Sequence, residues 1–260
     1  TLRDAFPHAK FVFPTASKRR ATIYKRTPIN QWFDNWSLEH PNDREELQFE
    51  GLRESSQYIH GLLREEIDAV GAQNVVLGGL SQGCAASLVA LLTWDGPPLA
   101  AAVGMCGWLP LRRLLESRAT GQSIDGDPDD ELSDDLEDED NPFATDDDND
   151  QTENPRLEPF QHAIASLHEE LDMVYDSSSS IPLQSTKVFL GHGTEDDRVS
   201  LTLGQEATRC LRALRGNVQW HEYSGLGHWY SGEMLQDLVG FLQGVLTVEE
   251  KPPSVAMSKE

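Results

Sequence analysis

Apolar residues along this chain fall into two patterns. Short, nearly unbroken apolar runs occupy residues 10–13, 75–80, 99–106 and 186–190, and residues 217–223 alternate between apolar and polar. These are the signatures of buried and half-buried strands. Between them, apolar positions recur at helical spacing. Leu47, Leu52, Tyr58, Ile59, Leu62, Leu63 and Ile67 mark a helix over 45–70, with Gly71 as its stop. Residues 84–92, 201–214 and 234–246 read as further helices, and 156–175 as another. Residues 15–44 read as loop, with an aromatic cluster from Trp32 to Trp36. Strands alternating with helices predict an α/β fold, a mostly parallel sheet covered by helices, with functional loops at the carboxyl ends of the strands.

The periodicity breaks between 117 and 155. The formal net charge of the 260-residue chain is −23, and fifteen acidic residues with no Lys or Arg fall between Asp125 and Asp150, leaving −8 elsewhere. Such a segment is too poor in apolar groups to offset the entropy of ordering, so a disordered insertion is expected. Residues 177–180, four serines, read as a flexible joint. The acids do not make a calcium loop: Asp130 and Leu136 stand where that motif needs glycine and a bidentate Glu. The expected division is 1–116 and 181–248 as two parts of one domain, 117–180 as the insertion and 249–260 as a tail. The only short basic stretch, Lys18 to Arg20, cannot meet a nucleic-acid backbone, so no nucleic-acid partner is expected. No run of 18 apolar residues exists to span a membrane. Cys84, Cys106 and Cys210 are odd in number and far apart, which suits a reducing, cytoplasmic setting with buried, inert thiols.

The chemistry concentrates at Gly79-Leu-Ser81-Gln-Gly83. A strand running into G-x-S-x-G and then a helix is the context of a nucleophile elbow. A serine hydroxyl needs an imidazole to take its proton and a carboxylate to orient that imidazole. Asp196, after the run ending at Leu190, and His228, after the one ending at Tyr223, both fall just past strand ends in the order Ser, Asp, His. Glu195 and Asp197 are not excluded by spacing. His221 lies inside a strand, and His192 precedes the acid, where it would shape the acid turn. The remaining histidines have no such placement, and no metal or cofactor is expected.

With these pieces in place the chain resembles the acyl-protein thioesterase / phospholipase–carboxylesterase family of α/β hydrolases. The matching stretches are Phe11-Val-Phe-Pro14, Trp32-Phe-Asp34, Gly78 to Gly83, Trp108-Leu-Pro-Leu111, Gly191-His-Gly193 with Asp196, and Gly227-His228. The resemblance implies Ser81, Asp196 and His228 as a catalytic triad, the Gln82 N–H in the oxyanion hole, and Trp32, Phe33, Trp108 and Leu109 lining or flanking an acyl site. It implies hydrolysis of an acylated protein or a small acyl ester without a cofactor, and says nothing of oligomeric state. Family members usually carry Asp-Pro where Asp197-Arg198 stands here. The family's early strand ending in a His-Gly loop, which supplies the second oxyanion N–H, is expected upstream of Thr1. On that reading residues 1–260 lack the first strands of the fold, and a hydrolase-like chain without turnover is the alternative.

Overall fold

A computed structural model describes residues 1–120, 157–177 and 180–246. The acidic residues 121–156, two of the serines of the expected joint and the tail lie outside the described residues. A short helix α1 (Leu2–Ala5) precedes an antiparallel hairpin of β1 (Lys18–Ala21) and β2 (Thr27–Asn30). Then come α2 (Phe49–Val70), β3 (Val76–Leu80), α3 (Gln82–Leu92), β4 (Ala101–Met105), α4 (Arg112–Thr120) and α5 (Pro159–Glu170). The chain continues through β5 (Lys187–Gly193), α6 (Leu201–Ala213), β6 (Asn217–Tyr223) and α7 (Gly232–Val245). Strands β3, β4, β5 and β6 lie side by side in that order, all parallel.

Alternation along the strands sorts the core into two layers. Ala101 and Val103 of β4 and Phe189 of β5 face α7 and pack with Leu238, Phe241 and Leu242. Ala102, Val188 and Leu190 face the opposite way, into a larger core built with α2, α3, α4, α5 and α6. Helix α3 is buried from Cys84 to Leu92 and apolar there on nearly every side, as a helix trapped between sheet and outer helices must be. Helix α2 is amphipathic, with Leu52, Ile59 and Leu63 buried, and Gly71 at φ +81° provides its stop.

Three expectations fail for identifiable reasons. Residues 10–13 form no strand: Phe11, Val12 and Phe13 are exposed, Phe13 by 85%, and among the described residues no strand lies alongside to pair with them. A cavity of about 1,100 Å³ separates this segment from the outer edge of β3. Residues 15–44 are not all loop, because the β1–β2 hairpin forms there. Its register pairs Arg20 with Pro28 and Arg19 with Ile29, a polar ribbon without the alternation that announces a strand. At the edge of the acidic stretch, Ser117 to Thr120 close helix α4 rather than belonging to a disordered segment. Helix α5 buries Phe160, Ile164 and Leu167 in the larger core, so the residues that follow the acidic stretch join the same packing unit.

Phe189 carries the smaller core layer: it is fully buried, stacks on His221 at 4.8 Å and meets Phe241 at 5.5 Å between ring centroids. Phe189→Ala is expected to destabilise the protein by about 3–5 kcal/mol, read from urea unfolding. Tyr58→Ala, at a side chain left exposed on α2, should change stability by less than about 0.5 kcal/mol. Equal costs at the two positions would refute the layer assignment.

Candidate active site

The carboxyl ends of all four parallel strands converge. Ser81 follows β3, Cys106 follows β4, Asp196 lies in the loop after β5 and His228 in the loop after β6. Hydrogen bonds extend the sheet past its formal ends: Ser81 N–H donates to the Met105 carbonyl at 2.8 Å, and Cys106 N–H to that of Gly191 at 2.9 Å.

Ser81 sits at φ 56°, ψ −124°, a conformation that costs an L-residue energy and persists only where the surroundings impose it. The imposing element is the tight passage from β3 into α3. A Cβ on Gly79 would lie 2.2 Å from the backbone of Gly83, so only glycine lets strand and helix approach this closely. The turn places Ser81 Oγ 2.8 Å from His228 Nε2, and His228 Nδ1 lies 2.8 and 3.0 Å from the two Asp196 oxygens. With its proton on Nδ1, donated to the carboxylate, the imidazole leaves Nε2 to accept from the serine hydroxyl.

Asp196 is fully buried, which alone would favour its neutral form. The N–H groups of Val199 and Arg198, each 2.9 Å from Oδ1, together with His228, outweigh that burial and hold the carboxyl below its ordinary range. His192 lies beneath the acid. Its Nε2 is 2.9 Å from the Val199 carbonyl and 3.2 Å from Asp196 Oδ2, and burial lowers its pKa, so it is a neutral prop for the acid loop. His221 stacks on Phe189 and stands 3.7 Å from Asp237, away from Ser81. His60 and His168 bond the backbone carbonyls of Ala90 and Val174. Of the three neighbouring acids, Asp196 is the one that meets His228.

Gln82 begins α3, where helix geometry leaves its N–H without an intrahelical acceptor, beside the Ser81 hydroxyl. Its side chain has a second role that the sequence did not reveal: Oε1 accepts from Trp32 N–H at 3.0 Å and Nε2 donates to the Phe33 carbonyl at 2.8 Å. The amide thus fixes the 32–33 loop to the start of α3. Trp32 is half-buried and lines the 1,100 Å³ cavity with Gly79, Leu80 and Gly83. Phe33, Trp108 and Leu109 are buried in the larger core behind it, Phe33 edge-on to Trp108 at 6.0 Å, and none of the three lines that cavity. Two exposed aromatic residues, Trp229 and Tyr230, stack on each other at 5.2 Å immediately after His228. Cys106 is buried as expected and lies beside the site. Its thiol donates to the Trp229 carbonyl at 3.2 Å, and its place at the end of an apolar run, matching that of Ser81 after its own, was the available signal of that position.

A family model described as phospholipase/carboxylesterase matches residues 2–125 and 168–246. Acyl-protein thioesterase 1 of Yarrowia lipolytica is 26% identical over 240 residues, covering 91% of this chain and 78% of that protein. Acyl-protein thioesterase 1 of Gibberella zeae is 26% identical over 245 residues, covering 93% and 79%. The crystal structure of Arabidopsis thaliana SOBER1 matches with a TM-score of 0.63 at 18% identity, covering 93% of this chain and 86% of that one. Zea mays acyl-protein thioesterase 2 matches with a TM-score of 0.57 at 21% identity, covering 90% and 80%. At these identities the two crystal structures bear on the fold alone.

The depressed pKa of Asp196 has a signed consequence for stability. A carboxyl whose folded pKa is lowered stabilises the fold above its unfolded value of about 3.9 and loses that contribution as the pH falls through the folded value. Asp196→Asn removes the titration. The stability difference between wild type and Asp196→Asn, measured by urea unfolding, should be constant from about pH 7 to 5 and drift below about pH 4, against the wild type. A difference independent of pH would contradict the assignment.

Proposed function

The chain belongs to the phospholipase/carboxylesterase family of α/β hydrolases, and on that premise we propose that it is a serine hydrolase cleaving acyl thioesters or carboxylic esters through an acyl-enzyme on Ser81. The observation that carries the proposal is the continuous relay from Ser81 Oγ through His228 to Asp196, 2.8 Å at each contact.

In the first half-reaction His228 Nε2 takes the serine proton as Oγ attacks the acyl carbonyl. Asp196 holds the imidazole in the required tautomer and stabilises the imidazolium that forms. The Gln82 N–H, at the positive end of α3, is offered to the oxyanion. His228 then returns the proton to the leaving thiol or alcohol. Water attacks the acyl-serine with His228 again as base, releasing the acid. Relatives named acyl-protein thioesterase 1 support an acylated protein as the substrate class, with a small acyl ester as the simpler member. Trp32 at the cavity wall is the proposed acyl contact, with Phe33, Trp108 and Leu109 packed behind it as its support. The setting that fits this reading is the cytoplasm.

A second reading, a hydrolase-like chain that does not turn over, is favoured by one observation. The outer edge of β3 borders the 1,100 Å³ cavity unpaired among the described residues, and Gln82 supplies the single oxyanion donor we identify there. Removing one donor from such a hole costs about 10²–10³ in kcat.

Both readings are separated by one pair of assays. Wild type is expected to label with a fluorophosphonate and to hydrolyse a palmitoyl thioester. Ser81→Ala should lose both while melting as wild type does. Asp196→Asn should retain the fold and lose about 10⁴ in kcat, the effect of an incorrectly held tautomer in this kind of relay. Labelling without turnover in wild type would favour the second reading, and labelling of Ser81→Ala would remove Ser81 from the mechanism.

A further inference from the structure

The thiol of Cys106 lies where a hydrolytic relay has no use for it. It is fully buried at the end of β4, and its sulfur, one Asp196 oxygen and one His228 nitrogen all stand within 4.8 Å of one another. Among the described residues this is the one such group of three metal-ligating side chains. We propose that Cys106, Asp196 and His228 form an inhibitory binding site for a thiophilic divalent cation, zinc above all.

The donor set suits that class of metal. Thiolate, imidazole and carboxylate are all zinc ligands, and a tetrahedral centre with bonds of about 2.0–2.3 Å places neighbouring donors about 3.5 Å apart. Closing the group to that spacing asks for shifts of about an ångström, within the reach of rotation about the Cys106 and His228 side-chain bonds. Supporting contacts are already present. Asp196 Oδ1 is held by the N–H groups of Arg198 and Val199, so the metal would take the place of the His228 contact at Oδ2. His192 props that carboxylate from below. Of the three ligands, His228 is the partly exposed one, its side chain 21% accessible, and entry runs past it.

Binding is a ligand exchange with no redox step. The Cys106 thiol gives up its proton to solvent, the His228 proton moves from Nδ1 to Nε2, and zinc takes the vacated places between sulfur, Nδ1 and the Asp196 oxygen. A water completes the coordination. A thiolate among the donors suits soft and borderline cations, whereas hard cations take oxygen ligands. Magnesium and calcium are therefore excluded from the site. The consequence for catalysis is direct. With Nδ1 bound to metal and Asp196 no longer holding a proton on it, the imidazole cannot become the stabilised imidazolium that the serine reaction requires. Inhibition rests on the proposed function, but metal binding does not.

Cobalt(II) is the probe, because a cobalt–thiolate bond gives an intense near-ultraviolet charge-transfer band that oxygen ligands do not. Full-length wild type titrated with cobalt(II) is expected to show this band at one equivalent. Zinc should abolish it by competition and magnesium should not. The band should persist in Cys84→Ser and Cys210→Ser and vanish in Cys106→Ser and His228→Ala. In parallel, zinc should suppress wild-type turnover at least tenfold more strongly than that of Cys106→Ser, each scaled to its own metal-free rate. Absence of the band from folded wild type overturns the site outright, whatever the variants do. So does a band that survives in folded Cys106→Ser, or cobalt bound only through oxygen ligands of the acidic stretch. A wild type that shows the band yet has no hydrolase activity would sink the proposed function and leave the metal site standing.

Discussion

Everything at this site depends on one backbone constraint: Ser81 held at positive φ between the last residue of β3 and the first turn of α3. The strain is sustained from three sides. Gly79 removes the side chain that would forbid the approach of strand and helix at Gly83. The Met105 carbonyl accepts the Ser81 N–H, tying the turn to β4. The burial of α3 from Cys84 to Leu92 leaves the helix no freedom to relax away from the sheet. Released from any of these, the serine would fall back to an ordinary conformation and its hydroxyl would leave the imidazole.

The parallel register carries this constraint across the sheet. Because β3 to β6 are parallel neighbours, the loops that follow them emerge on one edge, and residues as far apart as Ser81 and His228 meet at 2.8 Å. Burial then decides which ionisable group does what. Asp196 is stripped of water but repaid in hydrogen bonds, so it stays charged. His192, also buried, stays neutral and props the acid. His228, with one face accessible, stands 2.8 Å from the Ser81 hydroxyl, where the proposed reaction needs a base. Two imidazoles on one carboxylate thus take different roles from their surroundings alone.

Much of this was legible in the sequence, because apolar runs and helical spacing report burial, and burial is what builds a parallel sheet. The elements from residue 45 to 106 and from 186 to 246 fall close to where the pattern put them, and the Ser–Asp–His order brought together residues that do meet. The failures share a cause. The β1–β2 hairpin is a polar ribbon held by backbone pairing, so hydrophobicity said nothing about it. Residues 10–13 are apolar enough for a strand but pair with no described strand, the cavity standing between them and the edge of β3, and a strand is a property of two segments rather than one. Helix α4 carries Arg112 and Arg113 on a largely polar surface around the buried Leu115, too weak a period to be read. The side-chain clamp of Gln82 on residues 32–33 and the position of Cys106 beside Asp196 arise from contacts spanning tens of residues, which no local pattern encodes.

The central claim is that the strained serine is the atom acylated in the reaction. Wild type can be mixed with a slowly hydrolysed acyl ester, quenched in acid within the first turnover and digested, and the acylated peptide sequenced by mass spectrometry. The account predicts a single acyl increment on Ser81, accumulating in a burst. An increment on Cys106 or any other residue, or turnover with no acylated peptide at all, would contradict it.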